Sequence, residues 1–291
     1  MVSRDRQGNE LPTFDEQAGA VQFLYTTRLG RFVLKILVRP WVSKTVGWFL
    51  NRRVSAPFAR SFAKRNGIDL SQYEGAPYRS FNAFFCRPIR PECRPFDEDS
   101  ARLVAPCDSK LSVYPISKDS RFAIKGTEYT VQSLLRDEEL AKKYTGGWLL
   151  LFRLAVDDYH RYAFPADGEV TAPVRIPGVF HTVNPAAAAL CPIYKENTRE
   201  YVTLSTARFG DLLQMEVGAM MVGRIVNEPL TGPVCRGQEK GHFEFGGSTV
   251  ILCVEPGRFI PDADILKNTT EGFETIVKMG EGIGYAGTEV V

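Results

Sequence analysis

Histidine is scarce in this 291-residue chain, and its cysteines form no sequence pairs. Only His160, His181 and His242 occur, none in a metal-ligand spacing, and Cys86, Cys93, Cys107, Cys191, Cys235 and Cys253 include no Cys-x-x-Cys. A zinc centre is therefore not expected. The polar start from Met1 to Glu16 has no signal-peptide pattern, so free thiols in a reducing compartment are expected rather than disulfides. Gly-x-Gly-x-x-Gly and a phosphate-loop lysine are both missing, which argues against a parallel nucleotide-binding fold. With 44% hydrophobic and 24% charged residues, the chain can bury a full core.

Charge of one sign is also missing over a long stretch. Between Gln17 and Ile68 there is no Asp or Glu, whereas ten basic residues fall there, among them Arg28, Arg31, Lys35, Arg39, Arg52, Arg53, Arg60, Lys64 and Arg65. The remainder holds 26 basic against 34 acidic residues, so the net charge of +2 conceals a positive amino-terminal segment. Leu29, Phe32, Val33, Ile36 and Leu37 recur at three- and four-residue intervals, with Arg28, Arg31, Lys35 and Arg39 opposite. That spacing predicts a cationic amphipathic helix that Pro40 ends or kinks. Its apolar run is too short and too interrupted by charge to span a bilayer.

Trp41, Trp48 and Phe49 add aromatic bulk suited to a lipid interface. We therefore expect residues 1–70 to form a basic, helical, membrane-associating region ahead of a domain spanning 71–291. An anionic membrane surface is the expected partner, with peripheral attachment at the cytoplasmic face of the cell membrane. The alternative is a helix packed on the domain or on a twin subunit. No base-reading motif accompanies the charge, so nucleic acid is not an expected partner.

Beyond residue 70 the text becomes strand-like. Apolar or alternating stretches span 102–116, 129–135, 147–155, 168–177, 200–204, 212–226 and 249–254, separated by turn signals such as Ala166-Asp-Gly168 and Phe209-Gly-Asp211. The expected fold class is α+β, with a predominantly antiparallel β barrel or sandwich core and an amino-terminal helical region. Leu134 to Lys143 is the main candidate for a helix within the core.

The most informative feature is Gly246-Gly247-Ser248-Thr249. A serine after a glycine pair can bring its hydroxyl against the preceding carbonyl, because neither glycine has a Cβ in the way. Attack there shifts the acyl group from nitrogen to oxygen. Elimination of the Gly247 ester and hydrolysis of the resulting enamine would leave a pyruvoyl group at position 248. The same four residues read equally as a tight turn entering a strand.

The surrounding phrases are more specific. Gly237-Gln-Glu-Lys-Gly-His-Phe243 leads into the tetrad; upstream lie Ser80-Phe-Asn-Ala-Phe-Phe85 with Arg87-Pro and Arg94-Pro, Ala105-Pro-Cys-Asp108, Asp158-Tyr-His-Arg161, Phe180 to Pro185, Glu196 to Glu200 and Met215 to Ala219. In this order, over about residues 75 to 285, they resemble the phosphatidylserine decarboxylase family.

The resemblance implies self-cleavage between Gly247 and Ser248 into a chain of residues 1–247 and a chain of residues 248–291. It implies a covalent pyruvoyl cofactor made from Ser248, and phosphatidylserine as substrate, decarboxylated to phosphatidylethanolamine through a Schiff base. Asp108 matches the family's processing aspartate. The family's box often reads Asp-Tyr-His-Arg-x-His, but the second histidine is replaced here by Ala163. His181 is then the favoured histidine for processing, and His160 for proton transfer to substrate. A pyruvoyl-dependent decarboxylase of a soluble amino acid and a non-processing lipid-binding homologue remain alternatives. So does a further pairing of the two-chain unit into a dimer.

His242, six residues before Ser248, reads as surface. Asp157 and Asp158, adjacent and so pointing to opposite faces of a strand, read as structural. Arg161, Lys195 and Arg199 are candidate headgroup contacts that spacing does not separate from surface pairing.

Overall fold

Strands too short to bury a face alone gain stability by pairing, and in the computed structural model most of them join one sheet. The structure describes residues 2–12, 27, 30, 40–117, 122–124, 127–178, 198–218, 224–244 and 248–287. The eleven-stranded sheet runs Gly232–Val234, Gly168–Val170, Arg199–Thr206, Gly210–Val217, Ser248–Val254, Trp148–Leu154, Ser109–Pro115, Glu274–Val277, Val2–Arg4 and Glu10–Pro12, with Val174–Ile176 beside the Arg199 strand. All its pairings are antiparallel except Val2–Arg4 with Glu274–Val277. The fold is α+β with sandwich-like sheets. It is not the closed barrel also expected, because the two terminal strands of the order do not pair with each other.

Ser248–Val254 lies near the middle of this sheet and is buried along its whole length. Alternation sends Val250, Leu252 and Val254 into one apolar cluster with Leu111, Phe152 and Leu212. Ile251 and Cys253 enter the opposite cluster with Leu213, Met215 and Tyr144. Burial on both faces explains why the sequence reads there as an unbroken apolar run.

A three-stranded sheet, Ile225–Asn227, Glu239–Phe243 and Arg161–Ala163, carries the lead-in to Ser248 as its central strand. A β-bulge between Glu239 and Gly241 shifts the register against Arg161–Ala163. Gly241 is required by close approach: a Cβ there would lie 2.3 Å from the Val226 carbonyl oxygen.

Three expectations are corrected. Residues 129–135, read as a strand, contain the helix Val131–Leu135, which starts in a Thr130/Ser133 capping box and buries Val131, Leu134 and Leu135 at helical spacing. The single helix expected over 134–143 is two helices, because Arg136 turns left-handed (φ 54°) and Asp137 caps the second, Glu138–Lys143. Within the segment read as helical, residues 2–12 form two strands of the main sheet. Arg4 pairs with Glu10 and Glu271, and Arg6 with Asp262, Asp264 and Glu281.

The cationic helix expected around residues 28–39 lies outside the described residues apart from Gly30. Pro40 begins a helix, Pro40–Leu50, followed by Ala56–Arg65. Ala59 and Ala63 of the latter pack on Phe81, Phe84 and Phe85 of the short helix Phe81–Phe85, which Ser80 caps. No helix among the described residues is long and apolar enough to cross a membrane.

Gly241→Ala is expected to destabilise the chain by about 1–3 kcal/mol through overpacking. Gly47→Ala, in a helix interior with nothing near its added methyl, is expected to be neutral or stabilising. Urea titration of both variants in a Ser248→Ala background checks the contrast.

Candidate active site

Ser248 opens its strand opposite Leu154, and Thr249 stands between Arg153 and Val217. Strand alternation places the Ser248 side chain on the Val250 face, the face that also carries Gln214 and Glu216 of the neighbouring strand. Both Ser248 and Thr249 are fully buried, and neither hydroxyl has a hydrogen-bond partner among the described residues. Leaving a buried hydroxyl unpaired costs stability, and such groups concentrate where chemistry requires them.

His160 immediately precedes the strand Arg161–Ala163. Its carbonyl accepts from the Phe243 amide at 2.9 Å, so it sits beside the end of the lead-in strand. The imidazole is fully buried, stacks on Phe85 with ring centroids 4.0 Å apart, and meets the Asp158 carbonyl through Nδ1 at 2.8 Å. A carbonyl only accepts, so Nδ1 carries the hydrogen and the neutral ring presents a bare Nε2. Nε2 has no partner. Burial, assisted by the charge of Arg87, holds the ring neutral down to about pH 4.

Asp158 positions this histidine through its backbone while its carboxylate is used elsewhere. It accepts from Lys110 Nζ at 2.8 and 2.7 Å and from the Ala155 amide at 2.7 Å. The structural reading of Asp158 fits these contacts.

Asp108 is held by other groups. Arg94 donates to it in bidentate fashion, Nε to Oδ1 at 2.9 Å and Nη2 to Oδ2 at 2.6 Å, while the Met279 amide and Lys278 complete the shell. Although burial opposes ionisation, these donors hold the carboxyl below its ordinary range. The structure does not hydrogen-bond Asp108 to His160, nor His160 to Ser248. His181 and Gly247 lie outside the described residues.

A cavity of about 390 Å3 adjoins this region, lined by Arg94, Phe96, Tyr159, Arg161, Ala163 and Met279 among others. Ala163, itself buried, borders this cavity at the position where the resemblance places an imidazole. Arg161 is committed to Glu239 and the Cys86 carbonyl. Arg199 is buried, donating to the Leu134 and Ser133 carbonyls, rather than displayed for a headgroup. His242, read as surface, is half-buried on the central lead-in strand and is held neutral down to about pH 4 by burial.

Sequence reasoning missed one buried polar network on the Ser248 face. Lys240, on the lead-in strand, pairs with Glu216, and both are at most 2% exposed. Asn227 donates to Glu216 at 3.2 Å and to Glu200 at 2.6 Å, and accepts from Tyr162 at 2.8 Å. Burial raises the Glu216 carboxyl against the lowering pull of Lys240. The pair ties the lead-in strand to the strand that flanks Ser248–Val254. Lys240 and Glu216 both lay inside quoted motifs, but only the fold shows that they meet.

Histidine titrates near 6.5 when unfolded and His160 at about 4 when folded. Unfolding between those values takes up a proton, so stability is lost as the pH falls from about 6.5 to about 4, by an amount on the order of 3 kcal/mol from this group. Glu216, raised by burial, acts in the opposite sense. The check is therefore the difference between a Ser248→Ala parent and its His160→Gln derivative in urea titrations at pH 7 and pH 4.5, the derivative showing the shallower loss.

Residues 81–285 match the family model described as phosphatidylserine decarboxylase. Among relatives, the chain is 43% identical over 267 residues to phosphatidylserine decarboxylase proenzyme 2 of Clostridium acetobutylicum, covering 91% of each chain. It is 39% identical to the phosphatidylserine decarboxylase proenzyme of Ruminiclostridium cellulolyticum, covering 90% of this chain and 89% of the relative. The Fusobacterium nucleatum proenzyme of the same name is also 39% identical, covering 91% of each chain. The motifs around Ser248, His160 and Asp108 thus sit in a match that spans most of the chain: it belongs to the phosphatidylserine decarboxylase family.

Proposed function

We propose that this chain cuts itself between Gly247 and Ser248 and then decarboxylates phosphatidylserine to phosphatidylethanolamine and CO2. The observation that carries the reading is the pair of buried groups unpartnered among the described residues, Ser248 Oγ and His160 Nε2, the histidine lying beside the end of the lead-in to the tetrad through its backbone bond to Phe243. The term proenzyme in the relatives' names agrees with processing. Ser248 Oγ attacks the Gly247 carbonyl, the peptide nitrogen leaves as the new amino group, and elimination and hydrolysis release ammonia. His181 takes the hydroxyl proton in that step.

A pyruvoyl group at position 248 would supply a carbonyl that takes up the substrate amine and the electron pair left behind by CO2. The residues present fit such a group: the hydroxyl it derives from is buried, unpartnered and on a strand that ladders on both sides hold in place. His160, neutral with a bare Nε2, accepts a proton from the substrate ammonium and returns it to the substrate Cα. Asp108, clamped by Arg94, keeps a fixed negative charge beside the cavity at Ala163.

The proposed membrane location has its own support. Trp48, Phe49, Val54 and Phe58 are exposed large apolar residues, and Trp48, Phe49 and Val54 line a groove with Arg52, Arg53 and Arg79. Aromatic and cationic side chains together suit the cytoplasmic, anionic face of a membrane.

Intact-mass measurement is expected to show a chain ending at Gly247 and a 44-residue chain whose blocked terminus reacts with hydrazine. Ser248→Ala should remain one chain; a wild-type protein that also remains one chain removes the proposal. His181→Ala should accumulate uncut precursor, whereas His160→Ala should still cleave and fail to release CO2. Turnover of free amino acids in place of phosphatidylserine would shift the substrate to the soluble class.

Cosedimentation should favour phosphatidylglycerol vesicles over phosphatidylcholine ones and weaken with salt. Trp48→Ser with Phe58→Ser should reduce it further. Equal binding to both vesicle types would remove the membrane assignment.

A further inference from the structure

Arg94, Arg153 and Arg87, each largely removed from water, differ in how their guanidinium edges are used. Arg94 places Nε and Nη2 on the two oxygens of Asp108, and Arg153 places the same edge on Glu274 at 2.9 and 2.6 Å. Arg87 is 1% exposed, yet its Nε and Nη2 have no hydrogen-bond partner among the described residues. Among the described residues its only hydrogen-bonded side-chain nitrogen is Nη1, which donates to the Phe84 carbonyl at 3.1 Å. The cation is accommodated by aromatic rings, Cζ lying 4.0 Å from the Tyr73 centroid and 4.6 Å from that of Phe84.

Ring contacts hold the charge but satisfy neither donor. A fully buried guanidinium with one whole bidentate edge unpaired is costly unless an anion completes it. Two more unpartnered polar groups belong to the same neighbourhood. The Tyr78 hydroxyl is buried without a partner, and the Tyr78 ring meets Phe84 with centroids 5.6 Å apart. His160 stacks on Phe85, two residues from Arg87, with Nε2 unpaired. Both feel the positive charge of Arg87.

We infer that the Nε/Nη2 edge of Arg87 binds the phosphodiester of the lipid headgroup and so places the serine moiety beside His160. Two non-bridging oxygens match the two parallel N–H donors, and Tyr78 is placed to add a third donor. The substrate carboxylate is the less suitable anion, since a cation on it would stabilise the charge that must leave with CO2. A phosphodiester keeps its charge throughout the reaction. Arg87 acts here as a binding and positioning residue, and the inference rests on phosphatidylserine being the substrate.

The test uses the processed enzyme with dihexanoyl phosphatidylserine, and calorimetric binding of dihexanoyl phosphatidylethanolamine, which has the phosphodiester without the carboxylate. Arg87→Gln is expected to raise KM and weaken product-lipid binding together, each by roughly 10- to 100-fold, with a much smaller change in kcat. Arg87→Lys should recover only part of this, since an ammonium cannot reproduce the two-pronged edge. Unchanged lipid binding by a folded, processed Arg87→Gln would overturn the inference.

Should that variant fail to fold, competition on the wild-type enzyme decides. Dihexanoyl phosphatidylmethanol should compete and free L-serine should not; the reverse order would overturn the assignment in favour of the carboxylate. Wild-type protein that binds phosphatidylethanolamine through Arg87 but releases no CO2 would sink the decarboxylase reading alone. Full activity with Arg87-independent lipid binding would sink only the present inference.

Discussion

The rest of the molecule depends on the double pairing of the strand Ser248–Val254. Its backbone is laddered to Gly210–Val217 on one side and to Trp148–Leu154 on the other, and its side chains fill the cores on both faces. A strand held in this way does not need the covalent bond that precedes it. In the proposed two-chain form, residues 248–291 stay in place because seven buried strand residues, and the later strand Glu274–Val277 beside Ser109–Pro115, remain paired after the cut. Position 248 then sits on a rigid element, where a reacting carbonyl keeps its orientation.

Around that strand, buried charge is arranged so that most of it is neutralised locally. Arg94 with Asp108, Arg153 with Glu274, Lys110 with Asp158 and Lys240 with Glu216 are all nearly or fully removed from water. Pairs of this kind contribute little net stability compared with apolar packing, but losing one partner leaves an uncompensated charge. They fix geometry instead. Lys110 anchors the Asp158 carboxylate, whose backbone carbonyl sets the tautomer of His160, and Lys240 ties the lead-in strand to the strand beside Ser248. Arg87, by contrast, has aromatic faces around it and no hydrogen-bonded anion among the described residues.

Much of the core was legible because the buried strands announce themselves by composition. The apolar or alternating stretches at 147–155, 200–204 and 249–254 correspond to paired strands. Elements governed by local side-chain bonds were harder: the Thr130/Ser133 capping box makes a helix where apolar content alone suggested a strand. Residues 2–12, polar and unpromising as a strand, join the sheet through ion pairs to residues more than 250 positions away.

By itself the sequence determined the tetrad at Ser248, the segregation of positive charge before residue 68, the presence of alanine rather than histidine at position 163 and the family to which the chain belongs. These are properties of residue type and short spacing, and need no partner to be read. The tertiary structure decided which groups meet: Asp108 with Arg94, His160 with the Asp158 carbonyl, Glu216 with Lys240, and Arg87 with aromatic rings and the Phe84 carbonyl. Hydrogen-bond partners depend on strand register, burial and the direction of each side chain, and those are set only when distant segments pack.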